Sequence, residues 1–249
     1  MPSTGNNDVP FVLFGTEHLL TIATILLAGV LLPLAIRRVG PGTVERRVAV
    51  TLAVALVAQE LIKIWVRINI YGQPGIELLP LHLCGVSVFL VAYVLIWRSY
   101  AVFEVAYFWG LIGTVQAILT PDIPFGFPSL VFLTFFLGHG LVIVGVVYGI
   151  AVFGFRPTLR SVWKTIWVTL VYMAAVAPIN FLLGTNYLYL RHKPKQASLL
   201  DYFGPWPWYI LTLIAVGTLL IFIYYAPFAV LARRGATPSP SAHDSQSQA

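Results

Sequence analysis

Three residues carry most of the chemistry that this apolar chain could perform: His82, His139 and Cys84, the last being the only cysteine in 249 residues. A histidine whose pKa lies near neutrality can take a proton from a thiol or a water, and a thiol activated in this way attacks acyl carbonyls. His139, in "FFLGHGLV", sits about 15 Å along its expected helix at 1.5 Å per residue, too deep to reach the interface by snorkelling. It needs a partner inside the bundle, either a helix-helix hydrogen bond used for packing or a site. His82 and Cys84 share "LPLHLC", within about a turn of the membrane surface. On a regular helix they are about 200° apart and face different ways. That spacing favours His82 as the site residue and leaves Cys84 as a small hydrophobe, unless Pro80 makes the start of the helix irregular.

Other costly residues gather in the same half of the membrane. Glu60, Lys63 and Arg67 are spaced i, i+3, i+7 and share one helical face, which must meet protein or water. Its structural reading is a neutralised Glu-Lys pair with a snorkelling arginine. Gln116 and Asp122 flank the end of one apolar run, Asn180 and Asn186 lie at the end of another, and Glu17 and His18 begin the first. The opposite half reads as nearly bare of such groups. An outward-facing polar cavity lined by Glu60, Lys63, Arg67, Gln116, Asn180 and Asn186, with His82 and His139 in it, accounts for the asymmetry.

The elements that must position these residues follow from composition. With 59% hydrophobic and 10% charged residues, and a mean hydropathy of +0.86, the chain is an integral membrane protein. At about 20 apolar residues per crossing the sequence predicts seven spans, near 17–36, 44–68, 79–97, 102–119, 129–153, 162–184 and 207–231. They form one all-α polytopic domain over 1–232, followed by a Ser/Pro/Gln-rich disordered tail over 233–249. The N-terminal "MPSTGNNDVP" lacks the basic region of a secretory signal, so the first run is expected to remain as a helix.

Arg37, Arg38, Arg46, Arg47, Arg98, Arg156, Arg160, Lys164, Arg233 and Arg234 fall on one side of these spans, against Arg191, Lys193 and Lys195 on the other. The bias predicts an outer N-terminus and a cytoplasmic C-terminus, and the expected location is the plasma membrane. Because the excess of 15 Lys+Arg over 9 Asp+Glu sits at span ends, it implies no nucleic-acid partner. The expected partners are membrane lipids. No Cys-His cluster has zinc spacing, so neither metal nor cofactor is expected.

The segments "FGTEHL", "LPLHLC", "YFWGLIGTVQAILTPD", "FFLGHG", "GTNYLYLRHKP" and "GPWPWY", in this order, resemble the YwaF-like family of bacterial integral membrane proteins over nearly the whole chain. The chain is also distantly similar to the transmembrane protein 164 family. That second resemblance implies acyl transfer between phospholipids through a membrane-embedded cysteine and histidine. It sets Pro80-Leu81-His82 against a Pro-Cys-His of those relatives, with leucine where the nucleophile would stand, Cys84 three residues away, and His82 and His139 at the histidine positions.

Two classes of function remain open on the residues. The first is an intramembrane lipid-acting enzyme, an acyltransferase or acyl hydrolase, with His139 as base, His82 assisting, and Cys84 or water as nucleophile. The second is a small-solute or proton-coupled transporter with Glu60, Lys63, His139 and Asn180 along its path, or a membrane sensor that binds a ligand without turnover. The bare inner half and the lack of an internal repeat weigh against transport.

Overall fold

In hydrocarbon, backbone N–H and C=O groups have no water to bond and must pair within their own segment, so the apolar runs fold as helices. The computed structural model describes residues 9–194 and 199–235, and over these the fold is all-α. Seven helices follow one another: α1 Thr16–Val39, α2 Thr43–Asn69, α3 Leu83–Trp97, α4 Tyr100–Leu119, α5 Leu130–Ala151, α6 Leu159–Leu183 and α7 Trp208–Gly235. Residues 1–8, Lys195 and positions 236–249 of the expected tail lie outside the described residues. The helices start where the sequence offers caps. Ser99 and Ser129 accept the N–H of Val102 and Phe132, and Thr158 with Ser161 makes a reciprocal capping box.

Six of the seven helices are long and apolar enough to cross a membrane; α3, with 15 residues, is the exception. At 1.5 Å per residue it covers about 22 Å of a hydrocarbon core about 30 Å thick. The expected span over 79–97 thus resolves into a bent segment, 79–82, and a shorter helix. Gly85 makes the bend possible: a Cβ there would lie 2.9 Å from Pro80 Cα, so only glycine lets the chain fold back onto the first turn of α3.

The hub of the bundle is α5, which packs against α1, α2, α3 and α4. Its glycines allow the close approach. A methyl group at Gly145 would overlap Val91 of α3, and one at Gly149 would sit 2.7 Å from the Phe103 ring of α4. Around these contacts Leu56, Val91, Leu95, Phe103, Phe108, Val142 and Tyr148 form the main core. α6 and α7 lie to one side and meet the rest chiefly through α4. Their outer faces carry exposed apolar groups such as Phe181 and Leu182, 81% and 78% exposed, as lipid-facing helices do.

At the basic end of the bundle the structure corrects the expectation of a bare inner half. Glu45 of α2 is buried and pairs with Arg98, whose guanidinium lies 4.9 Å from the centre of the Phe153 ring. Tyr148 of α5 donates to the Glu45 carbonyl at 2.8 Å. Nearby, Glu104 of α4 accepts from Ser161 Oγ and Lys164 Nζ of α6, each at 2.6 Å. These charges are paired across helices, so they can lie inside the bundle.

Candidate functional site

α2, α3, α4 and α5 line a cavity of about 20 Å³ in the half of the bundle opposite the basic end. A polar cavity of that size holds about one water. Its chemically active lining is Gln59, Glu60 and Lys63 from α2, Cys84 from α3, Thr114 from α4, and Thr134 and His139 from α5. Of the residues singled out in the sequence, the structure therefore brings together Glu60, Lys63, Cys84 and His139.

Cys84 reaches the cavity because α3 begins only at Leu83, after the bend over Gly85. Gly113 of α4 faces it, and a Cβ there would lie 3.7 Å from Cys84 Cβ, so that face of the thiol's residue is closely covered. His139 is held by its own helix: Nδ1 stands 2.7 Å from the Phe135 carbonyl. A carbonyl only accepts, so Nδ1 carries the proton, and Nε2 is left as the basic nitrogen. On α2, Lys63 Nζ donates to both carboxylate oxygens of Glu60 at 2.7 Å. Glu60 is 1% exposed, and a carboxylate so deeply buried is tolerated because it is paired. The hydroxyls of Thr114 and Thr134 donate to carbonyls in their own helices, Gly110 and Leu130.

His82, expected in the same cavity, lies elsewhere. It stands at the N-cap of α3 and packs between Tyr187 and Tyr189 of the α6–α7 loop, each ring centre 5.4 Å away. Its Nδ1 accepts the Leu188 N–H at 3.4 Å. Leu188 and Tyr189 both adopt positive φ, 58° and 55°, a conformation that non-glycine side chains rarely take and that these contacts help to hold. Burial also pushes the Tyr189 phenol above its ordinary pKa.

Asn180 and Asn186 organise the same loop and do not line the cavity. The Asn180 carboxamide donates to the Tyr187 carbonyl at 2.8 Å and accepts from Tyr187 N–H and Thr185 Oγ1 at 2.7 and 3.0 Å. Asn186 Oδ1 accepts the N–H groups of Arg191 and His192. Gln116 is exposed, its Nε2 donating to Thr120 Oγ1 at 3.1 Å. Arg67 lies farther along α2, with Nη1 donating to Gln73 at 3.2 Å. His18 spends both ring nitrogens on structure: Nδ1 accepts the Phe14 N–H at 3.0 Å, and Nε2 donates to the Ile118 carbonyl at 2.8 Å.

Gln59, Thr114 and Thr134 were not legible as cavity residues. Neutral and small polar groups inside apolar runs carry no charge signal, and only the helix packing shows which way they face. Elsewhere on the bundle, an apolar groove of about 380 Å³ runs between α4 and α6, lined by Trp109, Trp167, Val168, Val171 and Tyr172. Tyr172 donates to the Leu81 carbonyl at 2.8 Å, three residues before Cys84.

No curated protein and no solved structure matches the chain. A family model described as the TMEM164 family matches residues 13–225, which span all but the end of α7. The match falls on the family that the sequence motifs had suggested as the more distant of two resemblances. The chain is a multi-pass membrane protein and belongs to the TMEM164 family.

Proposed function

We propose that the protein catalyses thiol-dependent acyl transfer or acyl hydrolysis on membrane lipids, with Cys84 as nucleophile and His139 as general base. The observation that carries this reading is that Cys84 and His139, from different helices, line one polar cavity whose histidine keeps Nε2 free to accept a proton. In the reaction, Nε2 takes the Cys84 proton as sulfur bonds to the ester carbonyl carbon and the carbonyl π pair moves onto oxygen. Collapse breaks the ester C–O bond, and the proton on Nε2 passes to the departing lysolipid oxygen. A lipid hydroxyl or a water then attacks the thioester, giving its proton to Nε2, and the sulfur leaves and recovers that proton. The Glu60–Lys63 pair keeps the site polar without adding net charge, and the α4–α6 groove offers an acyl chain an apolar bed beside Tyr172.

Passage of a solute has less support, since Asn180, expected along its path, is committed to the loop. We propose an orientation with the N-terminus outside, as the basic residues suggest, and the plasma membrane as the location. The test is untargeted lipid mass spectrometry on a deletion strain carrying wild type, His139→Ala or Cys84→Ser at matched protein levels. A lipid class that changes on deletion and returns with wild type alone is the expected result. An unchanged lipidome in every strain rules the reading out.

A further inference from the structure

Arg67 stands one turn past Lys63 on α2 and on nearly the same helical face as Glu60. The two deeper charges on that face neutralise each other. The ion pairs among the described residues are Lys63–Glu60, Arg98–Glu45 and Lys164–Glu104, and none includes Arg67. Nor does its guanidinium extend freely into water. Nε is buried with no hydrogen-bond partner among the described residues, and Nη1 donates to the Gln73 side chain at 3.2 Å. Gln73 in turn donates its backbone N–H to the Arg67 carbonyl at 2.9 Å, so the turn after α2 folds back and fixes the side chain in place. Nη2 is left over. It has no partner among the described residues and, unlike Nε, it is not buried, so its two N–H groups are open to a ligand. Asp122 lies within electrostatic range but makes no ion pair with Arg67, and being exposed it is screened by water and salt. A half-buried guanidinium with spare donors and no paired carboxylate fits an anion, above all one with the paired oxygens of a phosphate.

Depth says which phosphate. α2 has 27 residues and rises about 40 Å, the thickness of a bilayer with its headgroups, and Arg67 stands in its last turn. The guanidinium is therefore at headgroup depth, with Lys63 about 6 Å and Glu60 about 10 Å deeper along the helix, both in the cavity lining. A glycerophospholipid has the same order, its phosphate among the headgroups and its ester carbonyls below, toward the hydrocarbon. We infer that Arg67 binds the phosphate of a glycerophospholipid through Nη2, and so holds the lipid with its esters toward the cavity that Cys84 and His139 line. Arg67 selects esters that carry a phosphate over neutral glycerides. The inference rests on the acyl-transfer reading for what the held lipid then undergoes, while the phosphate contact is measurable without turnover.

The experiment separates the phosphate from the acyl chains. The full chain in dodecyl maltoside is titrated with dioctanoylphosphatidylcholine, with dioctanoylglycerol, which has the same chains and no phosphate, and with sodium phosphate, and bound ligand is counted by native mass spectrometry. Wild type and Arg67→Gln are compared. The expected result is that Arg67→Gln weakens binding of the phospholipid by at least about tenfold, the effect of losing a charge-assisted hydrogen bond, while binding of dioctanoylglycerol stays within about twofold of wild type. Unchanged binding of the phospholipid would overturn the inference. Equal loss of both lipids would overturn it too, by making Arg67 a packing residue. Sodium phosphate that binds wild type as tightly as the phospholipid does would make this a site for the free anion and overturn the lipid assignment. A separate measurement tests the chemistry: the nitrophenolate burst from p-nitrophenyl butyrate, an ester without phosphate, on wild type and Arg67→Gln with Cys84→Ser as blank. Equal bursts above the blank are expected. No burst from wild type sinks the acyl-transfer reading, and the titrations still decide whether Arg67 holds a phosphate.

Discussion

Tyr148 and Glu45, 103 residues apart in sequence, meet at the basic end of the bundle, where the phenol donates to the Glu45 carbonyl at 2.8 Å. The carboxylate of the same glutamate takes Arg98. One residue thus joins α2, the end of α3 and α5. Glu45→Ala is expected to destabilise the protein by about 1–3 kcal/mol, less than for a fully buried pair because Arg98 is half exposed. Tyr148→Phe is expected to lose about 1 kcal/mol. Thermal melting in detergent checks both, and a Glu45→Ala protein that melts with wild type would show that the cluster is decorative.

Glycine has different meanings on α5 and α7. Gly145→Ala pushes a methyl into Val91, a stiff β-branched side chain, and should cost about 1–3 kcal/mol. Gly217, on α7, has nothing within 4 Å of an added Cβ, so Gly217→Ala should be neutral or stabilising by up to about 1 kcal/mol. The same melting assay compares them. The opposite order would mean that α5 is not the close-packed hub.

His18 and His139 should separate stability from activity. His18→Leu strands the Phe14 N–H and the Ile118 carbonyl and is expected to lower stability by about 1–3 kcal/mol while the lipid phenotype persists wherever the protein still folds. His139→Ala should abolish the phenotype with a much smaller change in melting. Measuring lipid profile and melting temperature on both variants decides it, because a structural His139 would reverse the pattern.

Access to Cys84 should depend on reagent size. Cys84 lines a cavity of about 20 Å³, so a small neutral thiosulfonate has less to displace on reaching the thiol than a trimethylammonium-bearing analogue, which carries both bulk and charge. Labelling followed by intact mass should show modification by the first and at least tenfold slower modification by the second. Equal rates would mean that the thiol faces open water.

The helices were legible in the sequence because twenty-residue apolar runs have one solution in hydrocarbon. α3 was not fully so, since its late start depends on Pro80 folding over Gly85, a contact that hydropathy does not register. That local detail also misdirected the reading of the site. His82 and Cys84 do face different ways, but because His82 is the extended N-cap of α3 and Cys84 lies within it, it is Cys84 that turns inward and His82 that joins the loop. Glu60, Lys63 and His139 were legible because charge and depth mark them. The partners of Glu45 and Glu104 were not, because they come from helices more than 50 residues away in sequence.

The lateral position of α6 and α7 divides the bundle into a chamber and an annex. All the residues named in the cavity come from α2 to α5, packed about α5, and α6 and α7 contribute none of them. The annex meets the chamber's rim instead of its lining: the α6–α7 loop, through Tyr187 and Tyr189, packs on His82 at the N-cap of α3.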